Sequence, residues 1–200
     1  QFEPYSAAKY IQSVLAQFLC AQATLADLAK VDTVLVSDSC ANVMMGLKNT
    51  NQITIEAMIH HIQCVSQGLD RGYLIGDMPF GSYLTPNDAV RNAARLVSEG
   101  GASCVKLEGF VPEAVREISR FIPVCGHLGL LPQTTDCFGT RGRTQRDIKQ
   151  LVEQSLKLQD EGASLLVLEK VAAETAHCCY YITIRRDIYS RYDVCEITNL

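Results

Sequence analysis

The chain lacks the sequence features that mark two large classes of protein. No run of basic residues interleaved with aromatics occurs, and the formal net charge is −4, so the composition argues against a nucleic-acid binder. The longest wholly apolar stretches, such as residues 165–168, are far shorter than a membrane span. Residues 1–4 carry neither the charged nor the apolar region of a secretory signal. We therefore expect a cytoplasmic protein, or a mitochondrial one if its source is eukaryotic.

The pattern of a disulfide framework is also absent. The cysteines number nine, which is odd, no C-x-x-C motif occurs, and Cys104 and Cys125 lie inside apolar runs. These features are typical of buried reduced thiols and predict a reducing compartment. The adjacent Cys178 and Cys179 leave a redox-active pair open as the alternative.

A short apolar strand that ends in an acid recurs along the chain. The four eight-residue segments, each with its terminal acid, are 31–38 (Asp38), 70–77 (Asp77), 101–108 (Glu108) and 162–169 (Glu169). Their apolar character is continuous rather than alternating, which is typical of strands covered on both faces in a parallel sheet.

Helical patterns fill the intervals between these strands. Apolar spacing and capping residues predict helices over 54–65, 85–100, 112–120 and 147–160, with a further strand over 122–127. Such alternation fits a doubly wound sheet or a closed barrel. Carboxylates at the ends of several strands favour an α/β fold of the (β/α)8 TIM-barrel type, because all strand ends converge there on one mouth. We expect one such domain over residues 1–200.

Asp38, Asp77 and Glu108 occupy the same position in three of these segments. Each alone is readily explained as a solvated loop acid or a helix cap, but three at one position are harder to dismiss. Carboxylates that converge repel one another, and a hard divalent cation with oxygen ligands relieves that repulsion. The spacing therefore predicts a catalytic metal site, with magnesium as the expected ion.

Lys106 lies two residues before Glu108, so both side chains point to the same face of the strand. It could pair with Glu108, bind a substrate carboxylate or form a Schiff base. Neighbouring acids would hold the pKa of Lys106 high and disfavour the nucleophile, so we favour carboxylate binding.

Glu169 and His127 end two further strands. Glu169 follows the apolar residues 165–168, a setting that suits a general base, although a helix-capping glutamate is equally consistent. For His127, a core histidine held by backbone groups and a catalytic histidine both remain open.

These segments, in this order, resemble ketopantoate hydroxymethyltransferase. The matching stretches are VLVSDS at 34–39, GDMPFGSY at 76–83, NAARL at 92–96, VKLEG at 105–109, PVCGHLGL at 123–130, PQ at 132–133, GRT at 142–144 and LVLE at 166–169. The resemblance covers about residues 30–175 and implies a barrel similar to isocitrate lyase and phosphoenolpyruvate mutase.

The resemblance implies transfer of a hydroxymethyl group from 5,10-methylenetetrahydrofolate to 3-methyl-2-oxobutanoate, giving 2-dehydropantoate for pantothenate and coenzyme A synthesis. It implies that Asp38, Asp77 and Glu108 hold Mg²⁺, directly or through water. Ser39 and Lys106 would bind the carboxylate end of the keto acid, with Asp38 and Asp77 also in contact with it. Glu169 matches the family's proton acceptor, and His127 matches a histidine of its substrate site. The resemblance also implies a homo-oligomer, a decamer in the family.

The chain departs from the family pattern at several places. Ser37 stands where the family usually has glycine. Residues 18–21 align with the first strand of the family's barrel. Residues 182–184 stand where the family has a glycine-rich strand, no glycine follows Gly162, and 193–200 is the expected eighth strand. A barrel of this kind has about 250 residues, so we expect one shortened or imperfect at its C-terminus.

Two other functions remain open beside the hydroxymethyltransferase. One is a catalytically impaired relative that serves as a subunit in an assembly, favoured by the lost glycine-rich strand. The other is a metal-dependent carbon–carbon lyase of the same superfamily, which would not need folate.

Overall fold

Parallel strands alternate with helices throughout the computed structural model, which describes residues 14–135, 139–186 and 193–195. The strands are β1 (Val14–Ala16), β2 (Thr33–Val36), β3 (Tyr73–Asp77), β4 (Cys104–Glu108), β5 (Val124–Gly129), β6 (Ala163–Glu169) and β7 (Asp193–Cys195). The helices are α1 (Cys20–Leu28), α2 (Cys40–Val43), α3 (Ile55–Ser66), α4 (Pro86–Ser98), α5 (Pro112–Ser119), α6 (Gln145–Asp160) and α7 (Ala173–Arg186), with a 3-10 turn at Thr50–Gln52.

The strands lie in the sheet in the order of the chain, β1 to β7, and each pairs in parallel with its neighbours. Within the described ranges no pairing joins β1 to β7. This order, with a helix between successive strands, is that of a (β/α) barrel and confirms the predicted fold class.

Two apolar clusters show that the sheet curls. Leu35, Ile75, Cys104, Cys125 and Val167, one from each of β2 to β6, pack together on the inner face. Residues that alternate with them along the same strands, such as Val34, Val105 and Leu166, belong to the larger core beneath the helices. Side chains at the carboxyl ends of the strands therefore face the mouth in the same alternation.

Threonine caps fix where three helices begin. The hydroxyl oxygens of Thr54, Thr85 and Thr144 accept hydrogen bonds from the backbone N–H three residues later, at the starts of α3, α4 and α6. Pro86 at the first position of α4 is compatible with this start because proline has no N–H to satisfy there.

Three predicted elements differ from the structure. Residues 18–21 are not the first strand: β1 comes earlier, at Val14–Ala16, and the alanine-containing run from Cys20 forms α1. Residues 182–184 lie inside α7, because no proline or glycine interrupts the chain between Ala173 and Arg186. Asp193–Cys195 pairs with β6 and is therefore the seventh strand rather than the eighth, while residues 196–200 lie outside the described residues.

The interior cysteines are buried thiols. Burial, together with the charges of Asp38 and Asp77, raises the pKa of Cys40 to about 12. Burial also raises the pKa of Cys104 well above its ordinary value. Such thiols stay protonated and inert at neutral pH.

In the part of the chain that the structure describes, no helix has the length and apolar character needed to cross a membrane.

Candidate active site

The charged residues selected from the sequence come together at the carboxyl ends of the strands. Asp77, Glu108 and Glu169 are the last residues of β3, β4 and β6, and His127 lies two residues before the end of β5. Asp38 follows β2 by two residues and precedes Ser39, the N-cap of α2. Asp77, Glu108, His127 and Glu169 continue the inner-face alternation of their strands, so an apolar floor of the curled sheet lies beneath a charged layer.

Asp77 and Lys106 form a buried ion pair on adjacent strands. The Lys106 Nζ donates to Asp77 Oδ2 at 2.5 Å, and the side chains are 5% and 0% exposed. Burial raises the pKa of Asp77 to about 6, although the Lys106 charge opposes that shift. Burial alone would lower the pKa of Lys106, but the carboxylates of Asp77, Asp38 and Glu108 outweigh it and raise that pKa. Lys106 thus remains an ammonium ion, which is incompatible with a Schiff-base nucleophile at neutral pH.

Asp38 is held by two polar neighbours. Its Oδ2 accepts a hydrogen bond from Gln133 Nε2 at 2.9 Å, and its Oδ1 lies 3.4 Å from the Ser37 hydroxyl, which can donate to it. The same hydroxyl is 3.3 Å from Asp77 Oδ2, and the Asp38 N–H donates to that oxygen at 3.4 Å. Ser37 therefore adds a donor between two carboxylates where the family pattern has glycine.

Glu108 completes the carboxylate cluster. Its Oε1 accepts from the Gln133 backbone N–H at 2.8 Å, and its Oε2 lies 3.7 Å from His127 Nδ1. Burial raises the pKa of Glu108 to about 8, partly offset by the Gln133 hydrogen bond. Without a divalent cation to offset this burial, the Glu108 carboxyl is therefore protonated in a large fraction of molecules at neutral pH.

His127 and Glu169 form the other half of the site. The ring of His127 is buried, and its Nε2 lies 3.3 Å from Glu169 Oε2. Burial lowers the pKa of His127, as does the Lys106 charge, so the imidazole is neutral near pH 7. Neither ring nitrogen reaches hydrogen-bond geometry with any described residue. Glu169 keeps 18% of its side chain exposed, more than the other carboxylates of the site, and so is accessible from the mouth.

Ser39 stands beside these groups without joining their network of side-chain contacts. It is the half-buried N-cap of α2, and its backbone N–H donates to Ser37 Oγ at 3.3 Å.

Gln133 is a site residue that sequence reasoning missed. In the sequence it stands only within the Pro132–Gln133 match, yet it is 2% exposed and contacts Asp38, Glu108 and Tyr83. A glutamine in a turn carries no chemical signature, and its partner Asp38 is 95 positions away in the sequence. The match to a family motif was the signal that could have marked it.

The carboxylate oxygens indicate how a divalent cation could be held. One oxygen of each acid is taken by a strong donor: Asp38 Oδ2 by Gln133, Asp77 Oδ2 by Lys106 and Glu108 Oε1 by the Gln133 N–H. The opposite oxygen of Asp77, Oδ1, is buried and has no hydrogen-bond partner among the described residues. A buried carboxylate oxygen without a donor is costly unless a cation or water satisfies it.

The cluster is not a closed cage of protein ligands. Among the described residues, no group of three or more histidine, cysteine or acidic side chains is placed to enclose an ion. Magnesium commonly keeps several water ligands and takes only one or two carboxylates from the protein, so the residues present fit that ion better than one that needs a full protein shell.

Comparison with known proteins gives consistent results in sequence and in structure. A family model described as ketopantoate hydroxymethyltransferase matches residues 4–184. The 3-methyl-2-oxobutanoate hydroxymethyltransferase of Salinibacter ruber is 44% identical over 161 residues, which are 77% of this chain and 61% of that protein. The enzyme of the same name from an Azoarcus species is 43% identical over 172 residues, covering 81% of this chain and 63% of the relative. The chain thus spans about three fifths of the length of these curated relatives.

Solved structures share the fold at low sequence identity. A putative lyase/mutase from Burkholderia cenocepacia superposes with a TM-score of 0.70 at 16% identity, over 96% of this chain and 69% of the other. A 2,3-dimethylmalate lyase of the phosphoenolpyruvate mutase/isocitrate lyase superfamily gives a TM-score of 0.68 at 16% identity, over 94% and 67%. These similarities show that the curled sheet shares the fold of those proteins.

Proposed function

Because the chain belongs to the ketopantoate hydroxymethyltransferase family, we propose that it transfers a hydroxymethyl group from 5,10-methylenetetrahydrofolate to 3-methyl-2-oxobutanoate. The product would be 2-dehydropantoate, an intermediate of pantothenate synthesis. The observation that carries the proposal is the buried cluster of Asp38, Asp77 and Glu108 with an ammonium group inside it. An α-keto acid is an anion with adjacent keto and carboxylate oxygens, and it needs such a combination of cation and hydrogen-bond donors.

The keto acid would bind through its carboxylate end to Lys106 and Ser39. Lys106 uses one of its N–H groups on Asp77 Oδ2, and an ammonium group has three. The remaining N–H groups can donate to a substrate carboxylate, and the positive charge offsets the anion. Asp38, Asp77 and His127 complete the wall of the substrate site in this proposal.

We assign Asp38, Asp77 and Glu108 to a Mg²⁺ ion, held directly or through water. The Oδ1 of Asp77, which has no hydrogen-bond partner within the described part of the chain, supports this assignment. So does the raised pKa of Glu108, because a bound cation would replace the proton on that carboxyl. When bound, such an ion supplies Lewis-acid polarisation of the keto oxygen and makes the C3 proton more acidic.

Glu169 is the group we assign to removal of the C3 proton. It is accessible at the mouth, whereas Asp77 is fully buried and already paired with Lys106. His127 is neutral, and its Nε2 lies 3.3 Å from Glu169 Oε2, so no second positive charge competes for that carboxylate. The enolate carbon C3 would then form a bond to the one-carbon unit of the folate, with water supplying the hydroxyl oxygen and tetrahydrofolate leaving.

Deuterium exchange at C3 of 3-methyl-2-oxobutanoate, followed by NMR without folate, tests this first half-reaction. We expect exchange with Mg²⁺ and its loss on addition of EDTA. Folded protein that shows no exchange with Mg²⁺ would contradict the proposal. Exchange that survives EDTA would contradict the metal assignment alone.

A further inference from the structure

The side chain of Gln133 is the least expected member of the charged cluster. Gln133 follows β5 by four residues, is 2% exposed and uses every hydrogen-bonding group of its amide. Its Nε2 donates to Asp38 Oδ2 at 2.9 Å and to the Met78 carbonyl oxygen at 3.1 Å. Its Oε1 accepts from the Tyr83 hydroxyl, which also lies 3.3 Å from the Glu108 carbonyl oxygen.

The orientation of this amide is fixed by its neighbours. The Asp38 carboxylate and the Met78 carbonyl can only accept hydrogen bonds, so the NH₂ end must face them. The opposite orientation would set the amide oxygen against two acceptors. The Tyr83 hydroxyl supplies the donor that the amide oxygen requires, and half-burial keeps that ring in place.

The backbone of the same residue acts on a second acid. The Gln133 N–H donates to Glu108 Oε1 at 2.8 Å, so one residue engages acids from two different strand ends. Engaging Asp38 Oδ2 and Glu108 Oε1 directs the other oxygens, Asp38 Oδ1 and Glu108 Oε2, away from Gln133. Hydrogen bonds of this kind to ligating carboxylates commonly set their orientation and their affinity for metal.

We propose that Gln133, locked by Tyr83, is a positioning residue that selects which oxygens of Asp38 and Glu108 are presented to a divalent cation. This inference rests on the proposed function, since it takes the metal assignment as given. A glutamine that served only to fold the turn after β5 would not need both amide hydrogens on groups of the β2 and β3 ends. A substitution of Gln133 should therefore change the affinity for the cation more than it changes the free energy of unfolding.

Binding of Mn²⁺ alone, followed by the loss of the free-ion EPR signal, tests the inference without any turnover. Gln133→Met keeps the side-chain volume and the backbone N–H to Glu108 but removes the donors to Asp38 and Met78. Tyr83→Phe leaves the Gln133 amide in place and removes the hydroxyl that donates to its oxygen. Gln159→Met is the matched control, because Gln159 is a buried glutamine of α6 outside the charged cluster.

We expect the Mn²⁺ dissociation constant to rise about 10- to 100-fold in Gln133→Met and by a smaller factor in Tyr83→Phe. Gln159→Met should bind like the wild type. The EPR line shape of bound Mn²⁺ should also change in Gln133→Met, because the ligand oxygens rearrange, which a purely structural role would not cause.

Wild-type affinity and line shape in a folded Gln133→Met protein would overturn the inference while leaving the proposed function intact. If Gln133→Met does not fold, wild-type affinity in Tyr83→Phe would overturn it instead. Absence of Mn²⁺ binding by the wild type would overturn the metal assignment, and this inference with it.

Discussion

At the scale of single residues, the carboxylates of the site differ in how much freedom of motion their surroundings leave them. Asp77 is enclosed, paired with Lys106 and contacted by Ser37. Glu169 faces the mouth with the neutral imidazole of His127 beside it. A group that must approach a C–H bond and accept its proton needs that freedom, whereas groups that hold a cation benefit from rigidity.

Glu169→Gln keeps the shape of this side chain and removes its capacity to accept a proton. We expect C3 exchange to fall by about 10²- to 10⁴-fold, the usual contribution of a general base. Mn²⁺ binding should stay near the wild-type value, because Glu169 is outside the proposed ligand set. Exchange at near wild-type rate in this variant would show that another group removes the proton.

The Asp77–Lys106 pair makes a separate prediction for stability. Lys106→Met leaves a carboxylate that is 0% exposed without its ammonium partner. Removing one partner of a buried pair costs about 3–5 kcal/mol of unfolding free energy.

A double-mutant cycle with Asp77→Asn, followed by urea denaturation, measures the interaction itself. The double variant should be more stable than the sum of the single effects predicts, by about 1 kcal/mol or more. Strict additivity would mean that the two side chains do not depend on each other in solution.

At the scale of elements, the sequence predicted the strands that carry the candidate site residues and misplaced the first strand of the sheet. Segments 70–77, 101–108 and 162–169 combine continuous apolar character with a terminal acid, and they contain β3, β4 and β6. The β1 strand has only three residues, too few for a periodic pattern to be distinguished. The β-branched run at 182–184 has local strand propensity, but it lies within the helix α7.

In the site, too, residues marked by local sequence could be predicted, whereas a residue defined by contacts distant in the sequence could not. Asp38, Asp77, Glu108 and Glu169 could be selected because their position relative to a strand is local in sequence. The role of Gln133 depends on contacts with Asp38, Met78 and Tyr83, which are 50 or more positions away. No local pattern records such contacts, so only the fold reveals them.

The junction of β5 and β6 depends on one glycine. Gly129 has φ of +99°, and a Cβ there would overlap the carbonyl oxygen of Glu169 and lie 2.7 Å from Val171 Cγ2. Gly129→Ala should therefore displace the backbone that carries Glu169. We expect a loss of about 3 kcal/mol in unfolding free energy together with a large loss of C3 exchange.

Gly46→Ala is the matched control for that change. Gly46 also has positive φ, +68°, but among the described residues no heavy atom beyond its chain neighbours lies within 4 Å of the position of its Cβ. It should show only the cost of the backbone conformation, about 1 kcal/mol. Equal effects of the two substitutions in thermal unfolding would contradict the argument from close approach.

At the scale of the whole molecule, burial of acids links the stability of the fold to pH. The pKa of Glu108 is raised to about 8 and that of Asp77 to about 6, so the metal-free folded state binds protons more tightly than the unfolded chain. The stability contributed by these groups is present at low pH and is lost as pH rises through those values. The lowered pKa of His127 acts in the opposite sense, but only below its ordinary value near 6.5.

Between pH 6.5 and 8.5, Glu108 should therefore dominate this linkage. In EDTA we expect the Tm of the wild type to fall across that range, and the Tm of Glu108→Gln to fall less because the amide does not titrate. Mg²⁺ should raise the Tm of the wild type most at the upper end, where protons no longer compete for the carboxylates. Parallel curves for the two proteins in EDTA would show that the Glu108 carboxyl is not the titrating group.

The alternation of inner and outer faces has a consequence for how this chain can change over time. Along β3, β4 and β6, residues alternate between the helix-packed core and an inner-face series that ends in a carboxylate. Insertion of one residue within β4 would send Lys106 and Glu108 toward the helices and bring apolar neighbours to the mouth, destroying core and chemistry together. Insertions and deletions are thus confined to the loops, because a one-residue change within such a strand would disrupt the core and the candidate site together.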